Sequence, residues 1–348
     1  MIKYLIQKEF IQIRRNSFLP KLIIVFPIMI MCVMPWVMNQ EVKNVRVDVV
    51  DHDHSTSSTR LVHQIETSPY FIFNGLKSSY DAALTDIEKG HADIILEINP
   101  DGKKLIAANA VNGTKGAIGS AYLSQIASQQ EMPAHSKQGA EVLTLYNKHQ
   151  NYKLFMIPAL LAIVMMLMTG FLPTLNIVGE KETGTIEQIN VTPVSKWSFI
   201  LSKLIPYWLI ALFIVTICLV LAWAVYGIVS VGSLWLVYLL AMLLALFFSS
   251  FGLIVSNYSD NMQQAIFVMW FFVVCIMLLS GLFTPTRSMP SWAYLTTHVN
   301  PMHYFIDAIR TVFIRGGNFQ SVAHQVAALA AIASVMSVWA VLSYKKNH

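Results

Sequence analysis

The chain has 348 residues, 55% of them hydrophobic and 12% charged, with a formal net charge of +5. A soluble domain usually has about 25% charged residues, so this composition excludes a disordered chain and an ordinary water-soluble globule. The basic balance sits beside apolar stretches, which is a signal of membrane topology and speaks against a nucleic-acid partner.

The first 21 residues carry five cations (Lys3, Lys8, Arg14, Arg15 and Lys21) and one acid, Glu9. Leu22–Gln40 then runs 19 residues without Lys, Arg, Asp or Glu, about the length of one bilayer crossing. A basic start before an apolar run can mark a signal peptide, but no small-x-small cleavage site follows, so residues 22–40 are predicted to be a retained first span. Residues 41–153 hold eleven cations and thirteen acids and form a separate domain with room for a modest core. Val45, Val47 and Val49 alternate with Arg46 and Asp48, as in a half-buried strand. Asp51–His54 turns the chain, and Ser55 can cap a helix through Leu61, Val62 and Ile65. Tyr70–Phe73 is a second strand, and Ser79 opens a helix that Gly90 closes. Ala92–Ile98 and Lys104–Ala110 are strands around the turn Asn99–Gly102; Ala117–Gln130 is a helix and Val142–Tyr146 a last strand. The domain is α+β and lacks cysteine. Its Asp51-His52-Asp53-His54 tetrad has the composition of a divalent-metal site, but no other Cys or His cluster converges on it, so a polar turn before a helix cap is favoured.

Residues 154–348 hold four more charge-free stretches: Leu154–Gly179 (26 residues), Leu204–Ser259 (56), Asn261–Thr286 (26) and Gly316–Tyr344 (29). The longest accommodates two spans with a break near Gly227–Ser233, giving six transmembrane helices in all. The N-terminal stretch, the loops after the second and fourth spans and the tail sum to ten cations against five acids, so both termini are predicted to be cytoplasmic. Cys32, Cys218 and Cys275 lie in apolar spans and make no disulfide framework. The spans contain no ionisable residue except His324, which argues against an intramembrane proton or ion relay. No GxxxxGK[ST], HExxH or GxSxG motif occurs, so no catalytic residue, metal or cofactor is assigned to the chain. Energy for any transport is therefore expected from outside it.

Between the second and third spans lies Glu180–Pro193. Thr185 and Gln188 form a capping box that starts a short helix, with Ile186 and Ile189 on one face, Glu182 and Glu187 beside it and Pro193 as its stop. Ser195 can cap the next helix. Such a helix can lie on the membrane surface or dock in a partner's groove. Residues 284–315, with Pro285, Pro290, Pro301, Trp292 and Tyr294, are less apolar than a span and are predicted to dip into the outer leaflet without crossing. Asp307 and Arg310 can pair there at i, i+3; structural anchoring and an outer gate both fit the segment. Pro158, Pro173 and Pro206 permit kinks, static or hinging. Gly252 and Ser256, four apart, can bring helices close. The 17 methionines are better suited to packing than to a substrate path.

The segment EKETGTIEQINVTPVSKWSFILSK (180–203) is similar to the coupling-helix segment of ABC-2 type transporter permeases. Four further stretches resemble that family in order: Lys8-Glu9-Phe10 through Arg14-Arg15, its N-terminal interfacial helix; VDVVDHDHSTSSTRLV, the start of its extracytoplasmic domain; GLFTPTRSMPSW, its outer segment; and NPMHYFIDAIR, its C-terminal signature. Asn16 stands where the family often has an acid. The resemblance covers essentially the whole chain and is greatest to long-domain exporters linked to multidrug efflux. It implies an all-α polytopic membrane domain of six transmembrane helices with an inserted α+β extracytoplasmic domain. It also implies an interfacial helix over 1–21, a coupling helix over 180–193 and a re-entrant segment over 284–315.

The function it implies is that of the permease subunit of an ATP-driven exporter in a bacterial inner membrane. That subunit moves a hydrophobic or amphiphilic substrate out of the cytoplasm or inner leaflet. Glu180, Glu182, Thr185, Ile186, Glu187, Gln188 and Ile189 would contact a separate ATP-binding subunit, which holds ATP and Mg. Pro285, Pro301, Asp307 and Arg310 would belong to the outer gate. The implied partners are a second permease chain, identical or a similar sibling, and a periplasmic adaptor. A membrane scaffold whose external domain binds a partner, and a secondary transporter, are the alternatives that the residues themselves leave open.

Overall fold

Long charge-free runs become long helices, because in an apolar layer each backbone N–H and C=O must be satisfied within its own segment. The computed structural model describes residues 2–37, 45–109, 113–129, 152–185, 195–283, 286 and 289–344. The chain divides into two compact units, Gln40–Leu143 and the remainder, Met1–Asn39 with Thr144–His348.

The remainder begins with helix α1 (Ile2–Arg15) and helix α2 (Leu19–Val37). The corner between them is fixed by Asn16, whose side-chain carbonyl accepts the N–H groups of Phe18 and Leu19 at 2.9 and 3.0 Å. These are donors that the first turn of α2 cannot satisfy itself.

The Gln40–Leu143 unit contains β1 (Val45–Asp51), α3 (Thr56–Glu66), β2 (Phe71–Leu76), α4 (Tyr80–Glu88), β3 (Ile94–Ile98), β4 (Lys104–Ala108) and α5 (Gly113–Gln129). The sheet order is β2-β1-β3-β4; β1 runs parallel to β2 and β3, and β4 returns antiparallel to β3. Val45, Val47 and Val49 join Ile94, Leu96 and Ile98 in a core closed by Leu61 and Ile65 of α3 and Leu123 and Ala127 of α5. On the opposite face Val50 and Ile95 meet Ala83 of α4. Ser55 and Ser79 cap α3 and α4 as their positions predict. The tetrad is occupied as a turn: Asp51 accepts the N–H groups of Asp53 and His54 at 3.0 and 3.1 Å and the Ser58 hydroxyl at 2.7 Å. Burial pushes the Asp51 carboxyl up, but these three hydrogen bonds outweigh it and hold the group below the usual aspartate range. The expected strand Val142–Tyr146 lies outside the described residues.

The second part of the membrane unit contains α6 (Tyr152–Glu182), α7 (Lys196–Tyr226), α8 (Leu234–Tyr258), α9 (Met262–Leu278), α10 (Ser291–Thr297), α11 (Pro301–Arg315) and α12 (Phe319–Ser343). Five helices, α2, α6, α7, α8 and α12, are long and apolar enough to cross a membrane. The sixth expected crossing is shorter than predicted. Asn261–Thr286 is not one helix, because α9 stops after 17 residues, roughly 25 Å against a hydrocarbon layer of about 30 Å. The Ser280 hydroxyl donates to the Met277 carbonyl at 2.6 Å and accepts the Leu282 N–H at 3.2 Å, so a turn replaces the next helical bonds.

α6 and α8 form the largely buried centre of the bundle. They approach closely because Gly252 has no side chain: a Cβ there would stand 2.6 Å from the Gly170 carbonyl oxygen and press on the Thr174 hydroxyl. Met31, Met156, Met165, Met166, Met269 and Met302 are buried in the same core as packing residues. Pro158, Pro173 and Pro206 lie inside α6 and α7, which continue through them. α1, the end of α6, the start of α7 and the end of α12 gather at one end of the bundle: Lys8 reaches Glu180, and Lys196 reaches the Tyr344 carbonyl at 3.3 Å.

Candidate functional site

That shared end holds a buried cluster of charges. Lys203, on the second turn of α7, is 1% exposed, and its ammonium donates to Glu9 of α1 at 2.6 Å and to Glu180 of α6. Glu9 and Glu180 are themselves buried. Lys8 adds a second cation, 2.7 Å from Glu180 and 3.4 Å from Glu9. Asn176 donates to the other oxygen of Glu9 at 2.8 Å and accepts from Gln12 at 2.9 Å. Two positive and two negative charges therefore balance, three of them buried and Lys8 at the cluster's water-facing edge. An unpaired ion there would cost several kcal/mol. Burial alone would pull the Lys8 ammonium down, but the hydrogen bond and charge of Glu180, with Glu9 beside it, hold it above the ordinary lysine value.

The cluster joins both stems of the 186–194 loop to α1. Glu180 stands two residues before the end of α6, and Lys203 seven residues after the start of α7. Gly184, at φ +71°, ends the α6 stem in a left-handed turn that favours glycine. Ser195 opens the α7 stem by accepting the Ser198 N–H at 3.3 Å. The neighbouring charges grip the turn between α8 and α9. Lys181 donates to the Ser259 carbonyl at 2.8 Å and lies 3.7 Å from Asp260. Glu182 accepts the Met262 N–H at 2.7 Å, capping the start of α9.

Glu180 and Glu182 thus stand differently from what an outward-facing coupling surface requires. Glu180 is 4% exposed and enclosed by Lys203 and Lys8, so it holds α6 to its neighbours. Glu182 is exposed but already caps a helix. Thr185 lies beside Thr183, hydroxyl to hydroxyl at 2.8 Å. Ile186, Glu187, Gln188 and Ile189 lie outside the described residues, as does Pro285. Glu9, Lys203, Lys8 and Asn176 were missed as site residues. A signal for one of the four is present in the chain, since Lys203, like Glu180 but opposite in sign, is the first charge at the mouth of a long uncharged stretch.

At the other end, α11 buries Met302, Phe305, Ile306, Ile309, Val312 and Phe313, spaced three and four apart. Pro301 is its first residue, behind Asn300, which accepts the Met302 N–H at 2.9 Å and donates to the Ile276 carbonyl of α9 at 2.8 Å. The far end of α11 meets the α7–α8 connection, where the Val312 and Phe313 carbonyls accept from Gly232 and Val231 at 3.0 and 3.1 Å. The expected Asp307–Arg310 pair does not form. Asp307 faces α12 and accepts from Gln325 at 2.7 Å, while the Arg310 guanidinium lies 3.6 Å from the centre of the Phe155 ring on α6. The two side chains point to different neighbours, so their helical spacing is not used. Asn300 and Pro301 also line an apolar groove of about 240 Å³ with Phe247 and Phe251, midway along α8, and Met336 of α12. A second groove of about 230 Å³ adjoins it, sharing Phe251 and Phe272.

Five bilayer-length apolar helices packed in one bundle, with a separately folded unit after the first, define a multi-pass membrane protein. The chain belongs to the ABC-2 family of transporter proteins, whose family model matches residues 18–342. It is 27% identical over 335 residues to "Probable multidrug ABC transporter permease YbhR" of Escherichia coli (strain K12), covering 91% of each chain. Its identity to "Probable multidrug ABC transporter permease YbhS" of the same organism is 23% over 344 residues, covering 90% of this chain and 89% of the relative. It is also 21% identical over 333 residues to "ABC transporter G family member 20" of Dictyostelium discoideum, covering 89% of this chain and 46% of that protein.

Proposed function

We propose that the chain is the membrane-spanning subunit of an ATP-driven exporter, and that ATP and Mg are bound by a separate ATP-binding subunit. The observation that carries this reading is the Glu9–Glu180–Lys203 cluster, which locks both stems of the 186–194 loop to each other and to α1. A push on that loop would enter α6 and α7 as one body. Through Lys181 and Glu182 it would also reach the α8–α9 turn. α11, packed across α6, α8 and α12, is positioned to convert that motion into a change at the opposite end. The adjoining apolar grooves suit a hydrophobic or amphiphilic substrate.

In this reading both termini are cytoplasmic, α9 with its following turn completes a sixth crossing, and the Gln40–Leu143 unit lies in the periplasm or extracellular space. The working complex contains a second permease chain, the same or a sibling, and connects to a periplasmic adaptor. The relatives named as multidrug permeases support an efflux role.

The test is the double variant Glu182→Ala/Glu187→Ala, purified with the ATP-binding subunit and reconstituted. It is expected to stay assembled in the membrane and to hydrolyse ATP without driving efflux of a hydrophobic dye. Efflux equal to the unmodified complex would overturn the coupling assignment, and failure of the unmodified chain to copurify with any ATPase would overturn the exporter reading.

A further inference from the structure

We propose that the corner between α1 and α2 is a binding site for anionic phospholipid headgroups of the adjoining leaflet. Arg14 and Arg15 close α1, and Lys21 stands on the first turn of α2. All three are exposed, and none joins an ion pair among the described residues. The single acid within residues 1–40 is Glu9, which is buried and committed to Lys203 and Lys8. Among the described residues the corner therefore carries three uncompensated cations and no accessible acid.

Apolar side chains flank those cations. Phe18, between Arg15 and Lys21, is 64% exposed, and Tyr4 and Ile11, seven residues apart on one side of α1, are 75% and 47% exposed. Asn16 caps both N–H groups at the start of α2, so the corner has a fixed shape. Because α2 enters the apolar layer from Leu19, the corner stands where hydrocarbon gives way to headgroups. Phe18 can insert among acyl chains there while the guanidinium forks of Arg14 and Arg15 meet phosphate oxygens in pairs. An acidic protein surface would satisfy the charges but leave the exposed Phe18 without a function. A lipid satisfies both. The inference needs only the membrane class of the chain, not the exporter reading.

The experiment uses the full chain in nanodiscs of phosphatidylcholine containing a minor fraction of phosphatidylglycerol, with retained lipid measured after detergent extraction. The unmodified chain is expected to enrich phosphatidylglycerol several-fold over the bulk mixture, and the enrichment should fall in high salt. The Arg14→Gln/Arg15→Gln/Lys21→Gln variant should lose it. Lys103→Gln, an exposed cation of the other unit, should retain it. No enrichment in the unmodified chain, or undiminished enrichment in the triple variant, would overturn the site. A triple variant that keeps its lipid but loses an ATP-binding subunit would assign the corner to protein docking instead.

Discussion

Lys203 is where the balance of this protein is most exposed to a single change. Its ammonium is the shared partner of two buried carboxylates on two other helices, so removing it leaves both to share the single cation of Lys8. Lys203→Met is expected to cost about 3–5 kcal/mol, seen as a large fall in the melting temperature of the detergent-solubilised chain. Adding Glu9→Gln should restore more than half of the loss, because Glu180 is then balanced by Lys8 alone. A single variant that melts like the unmodified chain would show that the cluster contributes nothing. Asp48 carries the opposite sign of argument. It is fully buried in β1, and burial raises its carboxyl above the usual aspartate value despite the Asn74 hydrogen bond and Lys77 nearby. The folded state then keeps a proton that the unfolded chain has lost, so stability falls as pH rises from the ordinary aspartate value through the raised one. Asp48→Asn should therefore strengthen hydrogen-exchange protection of the β1 amides in the full chain at pH 7. The gain should vanish below the ordinary aspartate value. Weaker protection at pH 7 would mean that Asn74 and Lys77 more than offset the burial.

At the scale of elements, what the chain discloses follows from local physics. Ser55, Ser79 and Ser195 announce helix starts because capping needs only a hydroxyl within three residues of a free N–H. The valine alternation of β1 and the apolar runs of α6, α7, α8 and α12 are equally local, and each appears where its pattern predicts. The strand order β2-β1-β3-β4 and its parallel pairings are not local, since they depend on how α3, α4 and α5 distribute over two faces of the sheet. α9 shows the limit more sharply. Counting charge-free residues gives 26, yet hydropathy is blind to a serine that redirects the backbone at Ser280. The same blindness hid the charge cluster. A count of ionisable residues inside the spans leaves out Glu180 and Lys203, which border the charge-free stretches, and Glu9 of α1; all three are buried where α1 folds against the end of α6 and the start of α7.

For the whole molecule, the contacts at one end of the bundle constrain the number of crossings. α1 touches Glu180 and Lys203, and the end of α12 touches Lys196, so the chain enters and leaves the bundle at the same end. Five crossings alone would put the two at opposite ends; in the proposed reading α9 with the turn after it supplies the even count. Three engineered cysteines test this against a membrane-impermeant maleimide on intact cells: Asp101→Cys in the Gln40–Leu143 unit, Ser291→Cys at the start of α10, and Lys196→Cys at the foot of α7. The native cysteines lie inside apolar helices and give little background. With six crossings, Asp101→Cys and Ser291→Cys are labelled from outside, and Lys196→Cys only after the cells are permeabilised. The Ser291→Cys arm isolates α9: if that helix returned to the side it came from, this position would label with Lys196→Cys while Asp101→Cys still labelled from outside. Labelling of Lys196→Cys in intact cells, with Asp101→Cys protected, would invert the molecule in the membrane and remove the physical basis for coupling through the 186–194 loop.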